Sequence, residues 1–87
     1  MKISVYDTYV QRPNGLRMHF DILVPSDLRD LATVLGYGQI YLASKGLPSS
    51  ILKSEKCNFC HVESANAAVA SEITARGFAI IEMEHCD

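Results

Sequence analysis

The sequence predicts one α+β domain, an α/β two-layer sandwich with an N-terminal β-hairpin followed by helix, strand, helix and strand. Three observations support this class. The chain of 87 residues is short for more than one core, an Asn-Gly turn lies between two strand-like segments, and two later segments have helical spacing. We expect a mixed sheet with both helices on one face, which leaves the other face uncovered.

The hairpin is the clearest local prediction. Residues 2–10 are rich in strand-favouring residues, and residues 17–24 alternate apolar and polar side chains. Asn14-Gly15 is typical of a two-residue turn because both residues tolerate positive φ. Such a turn places Tyr9 opposite Phe20 and predicts one buried face, made of Ile3, Val5, Tyr9, Phe20, Ile22 and Val24.

The first helix is expected after the hairpin. Ser26 is the expected N-cap of the first helix, and Gly46 is its expected end. Gly36 and Gly38 interrupt this helix, which predicts a kink or a close packing contact there.

The second half of the chain is less regular. Residues 55–63 fit either a short strand or a turn. A helix is expected from Ala65 to Arg76, capped by Ser64 or Asn66 and closed by Gly77. A last strand is expected from Phe78 to Met83, and its residues 78–81 are apolar on both faces, which predicts a central strand.

Composition and charge exclude several classes of function. Eight Lys and Arg residues against ten Asp and Glu residues give a net charge of −2, which argues against nucleic-acid binding. No apolar run is long enough for a membrane span, and Asp7 interrupts any apolar leader segment. We therefore expect a cytoplasmic protein without a membrane partner. The common phosphate, dinucleotide and nucleophile motifs are missing, so an enzyme is not predicted.

The segment Cys57-x-x-Cys60-His61 carries the most recognisable chemistry. Thiolates and imidazoles are zinc ligands, so the sequence predicts a metal site drawn from Cys57, Cys60, His61, His85 and Cys86. Residues i and i+3 of a strand point to opposite faces. The site therefore requires a turn at Asn58-Phe59 and a position beside the last strand.

Other interpretations of this segment are open. The spacing also matches haem attachment, but haem is disfavoured because no export signal precedes this small sheet domain. A redox pair, with Cys86 as the resolving thiol, requires a helix N-terminus close to Cys57. Alternatively, the cysteines are structural residues of the core.

A second group of candidate residues lies on the hairpin: Tyr6, Asp7, Thr8, His19 and Asp21. A histidine beside a carboxylate and two hydroxyls is able to bind a ligand or transfer a proton. The alternative is a solvated strand face. An uncovered face with Tyr6, Val10, His19 and Leu23 would also allow a homodimer.

Four segments resemble a known family. These are Val5-Tyr6-Asp7-Thr8-Tyr9-Val10, Met18-His19-Phe20-Asp21-Ile22, Cys57-Asn58-Phe59-Cys60-His61 and Ile81-Glu82-Met83-Glu84-His85-Cys86. Together they resemble a small bacterial family catalogued as a domain of unknown function. The resemblance implies a stand-alone α/β domain of about this length and assigns no activity or site residue.

The functional prediction is therefore a metal-binding or thiol-based binding or regulatory module that uses the Cys57–His61 segment. The alternative is a non-catalytic interaction or homodimerising domain.

Overall fold

The computed structural model describes all 87 residues and forms a four-stranded sheet with two helices. The elements are β1 (Lys2–Gln11), β2 (Arg17–Pro25), α1 (Leu31–Ser44), β3 (Cys57–Ser64), α2 (Ala67–Arg76) and β4 (Ala79–Glu84). The α+β class, the N-terminal hairpin and the order of elements are confirmed. The expected mixed sheet is wrong, because the strand order is β3-β1-β2-β4 and every neighbouring pair is antiparallel. Neither helix is long and apolar enough to cross a membrane.

The turn of the hairpin contains three residues, where the sequence predicted two. The Arg12 amide donates to the Leu16 carbonyl at 2.8 Å, and the Gly15 amide donates to the Arg12 carbonyl at 3.0 Å. Pro13 suits the first turn position because its φ is fixed. Gly15 has a φ of 89° and closes a three-residue loop. The predicted register is therefore wrong by one residue.

This one-residue difference decides which side chains share a face. Along β1 and β2, the even-numbered residues face α1, and the odd-numbered residues face α2. The α1 face buries Tyr6, Val10, Met18, Phe20, Ile22 and Val24 against Val34, Tyr41 and Leu42. The α2 face buries Ile3, Val5, Leu23 and Ala79 against Val69 and Ile73. The helices therefore lie on opposite faces of the sheet, and the prediction of both on one face is wrong.

Helix α1 begins later than predicted. Asp30 accepts the Ala32 amide at 3.2 Å and the Thr33 hydroxyl at 2.7 Å, so Asp30 is the N-cap in place of Ser26. The close contact predicted for the glycine pair is present at Gly38. A Cβ there would lie 2.8 Å from Leu52 Cδ2.

The two edges of the sheet are β3 and β4. The prediction that β4 is central is therefore wrong. Phe78 and Ala79 are buried because the two helices cover both faces at this point, and Phe78 stacks on Tyr37 of α1 at 4.4 Å. Residues 81–84 extend past this cover and are exposed. Helix α2 begins two residues later than the predicted Ala65, and of its two predicted caps it is Asn66 that accepts the Val69 amide at 2.8 Å.

Candidate functional site

The cysteine segment forms edge strand β3 and contains a β-bulge. Val5 pairs with His61 and Tyr6 pairs with Phe59, so Cys60 is the extra residue between them. Cys57 is buried on the α1 face, where the Thr8 hydroxyl donates to its Sγ at 3.5 Å. Cys60 is exposed on the α2 face, beside Asp7. The turn at Asn58-Phe59 that a shared metal site would require is absent, because residues 57–64 form a strand, and the two thiols point to opposite faces.

The five predicted zinc ligands do not converge. Strands β3 and β4 lie at opposite edges, so the two strands of the hairpin separate His85 and Cys86 from the C-x-x-C pair. The Cys86 thiol donates to the His19 carbonyl at 3.2 Å. Only Cys60 and His61 are side-chain neighbours, with Sγ and Nδ1 3.2 Å apart. The position of β3 beside β4 that such a site would require is also absent, since β3 and β4 pair with different strands of the hairpin.

The geometry also weakens the redox interpretation. Thiols on opposite faces of a strand cannot form a disulfide without backbone movement. Burial raises the pKa of the Cys57 thiol. Desolvation, together with the negative charge of Asp7, raises the pKa of the Cys60 thiol. Both shifts reduce the thiolate fraction, and the thiolate is the reactive form.

One group of potential metal ligands does converge, namely Asp7, His19 and Asp21, which we call the Asp-His-Asp cluster. His19 Nε2 lies 3.4 Å from Asp7 Oδ1 and 3.5 Å from Asp21 Oδ1. One donor atom from each residue lies within 4.8 Å of the other two. The cluster is half-buried on the α2 face of the hairpin, beyond the part that α2 covers.

The register of the hairpin builds this cluster. Asp7 is directly opposite Asp21, and His19 is opposite Tyr9. The His19 imidazole stacks on the Tyr9 ring, with centroids 4.2 Å apart and an interplanar angle of 14°. The Arg17 guanidinium lies 4.7 Å from the same ring. These contacts hold the imidazole in place, so the arrangement does not depend on a flexible loop.

The two carboxyl groups differ strongly in their affinity for a proton. Burial, with the adjacent Asp7 carboxylate, raises the pKa of Asp21 to about 6. The hydrogen bond with Asp21 lowers the pKa of Asp7. The pair therefore shares one proton, which resides on Asp21 below about pH 6. Asp21 Oδ1 is buried, and His19 Nε2 at 3.5 Å approaches it without forming a hydrogen bond of normal geometry.

Of the five hairpin residues predicted as a polar cluster, the structure brings three together. Tyr6 and Thr8 lie on the α1 face and are buried there. The direct opposition of Asp7 and Asp21 was not predicted, because the assumed two-residue turn put them on different faces. The sequence Pro13-Asn14-Gly15 contained the missing signal, since it also fits a three-residue loop.

Two comparisons with known proteins find a match that covers most or all of the chain. A family model described as a domain of unknown function (DUF2024) matches residues 1–83. Protein NE1680 from Nitrosomonas europaea, which has an NMR structure, is 39% identical in sequence to this chain. The two structures superpose with a TM-score of 0.85, and the match covers 100% of both chains. A search of curated proteins gives no match.

Proposed function

Because this chain belongs to the DUF2024 family of domains of unknown function, its function has to be inferred from its own residues, and we propose a small metal-binding module. The proposed site is the Asp-His-Asp cluster. The observation that carries the proposal is the convergence of one imidazole nitrogen and two carboxylate oxygens within 4.8 Å of one another. The prediction of a metal site is kept in this proposal, but its ligands change from the cysteines to the hairpin.

The donor set favours a divalent transition metal. Imidazole nitrogen suits zinc and iron, whereas carboxylate oxygen also suits manganese and magnesium. One nitrogen and two oxygens therefore favour Zn²⁺ or Mn²⁺ over Mg²⁺, which prefers oxygen ligands and retained water. Three protein ligands leave room for water or a bound molecule at the metal, as in sites that do chemistry.

The electrostatics of the cluster supports the same proposal. Two carboxylates this close repel each other, and below about pH 6 the free protein relieves the repulsion by holding a proton on Asp21. A divalent cation would replace that proton and give the unpartnered Asp21 Oδ1 a ligand role. We therefore expect metal binding to release a proton below about pH 6.

The β3 segment has a peripheral role in this proposal. At the bulge both Cys60 and His61 face the α2 side of the sheet, and the Cys60 thiol lies beside Asp7. His61 Nε2 is also 2.6 Å from Glu63 Oε1. Cys60 would orient the Asp7 carboxylate, as hydrogen-bonded neighbours of metal ligands do.

Metal titration tests the proposal. We would remove metal with a chelator and titrate Zn²⁺, Mn²⁺ and Mg²⁺ by calorimetry. We expect one equivalent of Zn²⁺ or Mn²⁺ to bind, and His19→Ala or Asp7→Asn to weaken binding at least about tenfold, or 1.4 kcal/mol. His85→Asn is the matched control because His85 lies outside the cluster and Asn tolerates its positive φ of 54°.

Two results would contradict the metal proposal. One is the absence of stoichiometric binding by a folded protein. The other is equal weakening by His85→Asn and His19→Ala, which would mean nonspecific histidine binding.

A second candidate function, self-association, is favoured by the exposed edge of β3. The surface predicted for a homodimer is not available, since Tyr6, Val10 and Leu23 are buried. Phe59 and Val62 of β3, however, are 56% and 51% exposed. We propose that a second copy would pair with this edge, because unpaired strands with exposed apolar side chains favour such addition. Sedimentation of the protein and of Phe59→Ser tests this, and a monomer at high concentration would contradict it.

A further inference from the structure

The largest cavity of the protein is a cleft of about 890 Å³ beside the tip of the hairpin. It lies between the ends of β1 and β2 and the two short 3₁₀ turns, Ser49–Ile51 and Ser54–Lys56, that precede β3. Its volume is in the range of small-molecule sites in proteins. The polar and charged lining residues that matter here are Gln11, Arg17, Lys53, Glu55, Lys56 and Asn58. We call it the cationic cleft.

The charges of the cationic cleft are unbalanced. Three of the eight Lys and Arg residues of the chain, Arg17, Lys53 and Lys56, line it, against one acid, Glu55. None of these three cations forms a salt bridge. Two of the five cations outside the cleft are paired, Lys45 with Glu82 at 2.7 Å and Arg76 with Glu72 at 2.9 Å. The cleft therefore concentrates positive charge without a salt-bridge partner in a chain whose net charge is −2.

The walls of the cleft are held in place. The Asn58 side-chain amide donates to the Glu55 carbonyl at 3.2 Å, which fixes the last 3₁₀ turn against β3. The Gln11 side-chain amide (Nε2) donates to the Gly15 carbonyl at 2.8 Å and stiffens the hairpin tip. Arg17 rests on the Tyr9 ring, 4.7 Å from its centroid, so its guanidinium is partly preoriented. Such preorganisation lowers the entropic cost of binding a ligand.

We propose that the cationic cleft binds a small organic polyanion through its phosphate or carboxylate oxygens. Arginine and lysine recognise both groups with charge-assisted hydrogen bonds. A concave site with three cations suits a small molecule, whereas nucleic acid would need a broader basic surface than a chain of net charge −2 provides. Tyr9 joins the cleft to the Asp-His-Asp cluster, but the inference does not depend on a metal.

The test uses the metal-free protein, so that its outcome is independent of the metal proposal. Pyrophosphate and citrate would be titrated separately in the presence of a chelator, at physiological salt, with amide NMR shifts as the readout. We expect saturable shifts at residues 53–58 and 9–11 with at least one probe. Tighter binding of pyrophosphate would identify phosphate as the recognised group, and tighter binding of citrate would identify carboxylate.

Matched double variants separate the cleft from net charge. Lys53→Gln with Lys56→Gln removes two charges from the cleft and should weaken binding at least about tenfold. Lys2→Gln with Arg29→Gln removes the same charge outside the cleft and should change affinity less than twofold. The proposal is overturned if neither probe saturates at millimolar concentration, or if both double variants weaken binding equally.

Discussion

Replacing Asp21 by Asn should stabilise the metal-free protein at neutral and alkaline pH. The pKa of Asp21 rises from its ordinary 3.8 to about 6 in the folded state, so the folded protein binds this proton more tightly than the unfolded chain. The stability that the protonated carboxyl provides is therefore complete below pH 3.8 and is lost as the pH rises through about 6. Asn carries no charge, and its amide is able to donate to Asp7 at every pH.

The size of this gain in stability follows from the ordinary pKa of Asp21 and its pKa in the folded protein. At about 1.4 kcal/mol for each pH unit, the rise from 3.8 to about 6 sets an upper limit of about 3 kcal/mol. The lowered pKa of Asp7 offsets part of the destabilisation that ionised Asp21 causes. Partial solvent exposure weakens the interaction between the two carboxylates further. We expect a gain of about 1–2 kcal/mol at pH 8, or about 5–15 °C in Tm.

Urea unfolding at pH 4 and pH 8, with a chelator present, measures the effect. At pH 4 the variant and the parent should differ by less than about 0.5 kcal/mol, a typical value for a substitution that removes no specific interaction. Asp27→Asn is the control, since Asp27 is exposed in the segment before α1. An equal gain at both pH values, or a loss at pH 8, would refute the reasoning.

Two further predictions concern packing and thiol exposure. Gly38→Ala should lower the free energy of unfolding by up to about 2 kcal/mol, because the buried ends of Leu52 and Ile22 would have to shift away from the new Cβ and this cost exceeds the gain in helix propensity. Gly36→Ala has open space around it and should raise the free energy of unfolding by up to about 1 kcal/mol. Similar values for the two variants in denaturation curves would contradict the packing. Iodoacetamide should modify the native protein at Cys60 before Cys57 or Cys86, since only Cys60 is exposed. Mass spectrometry of timed digests measures this, and labelling of all three at one rate would disprove the placement.

The sequence predicted the elements of the fold more reliably than their arrangement. Strand and helix patterns are local, so the order of elements and the Asn66 cap could be predicted from short segments. The hairpin register could not, because it depends on whether Pro13 joins the turn. The position of β4 could not either, since burial on both faces occurs in a central strand and also in an edge strand between two helices.

The candidate site was harder to predict than the fold. The spacing Cys57-x-x-Cys60-His61 suggests a shared site when only the sequence is considered. In the structure the segment is an extended strand, which directs the two thiols to opposite faces. His19 and Asp21 could be selected because they are two residues apart on one strand face. Asp7 joins them through cross-strand pairing, and no spacing along the chain encodes that contact. The cationic cleft was not predicted, because its cations come from β2 and from a segment more than thirty residues later.

The strand order β3-β1-β2-β4 has a consequence for how the chain folds while it is being synthesised. The two inner strands are contained in residues 2–25, so they leave the ribosome before the two outer strands and are able to pair through a local turn. Each outer strand then docks on its own side, after the helix that precedes it. Until then, both sides of the nascent ribbon carry unpaired amides and carbonyls, which is the period of greatest risk of misassociation with other chains.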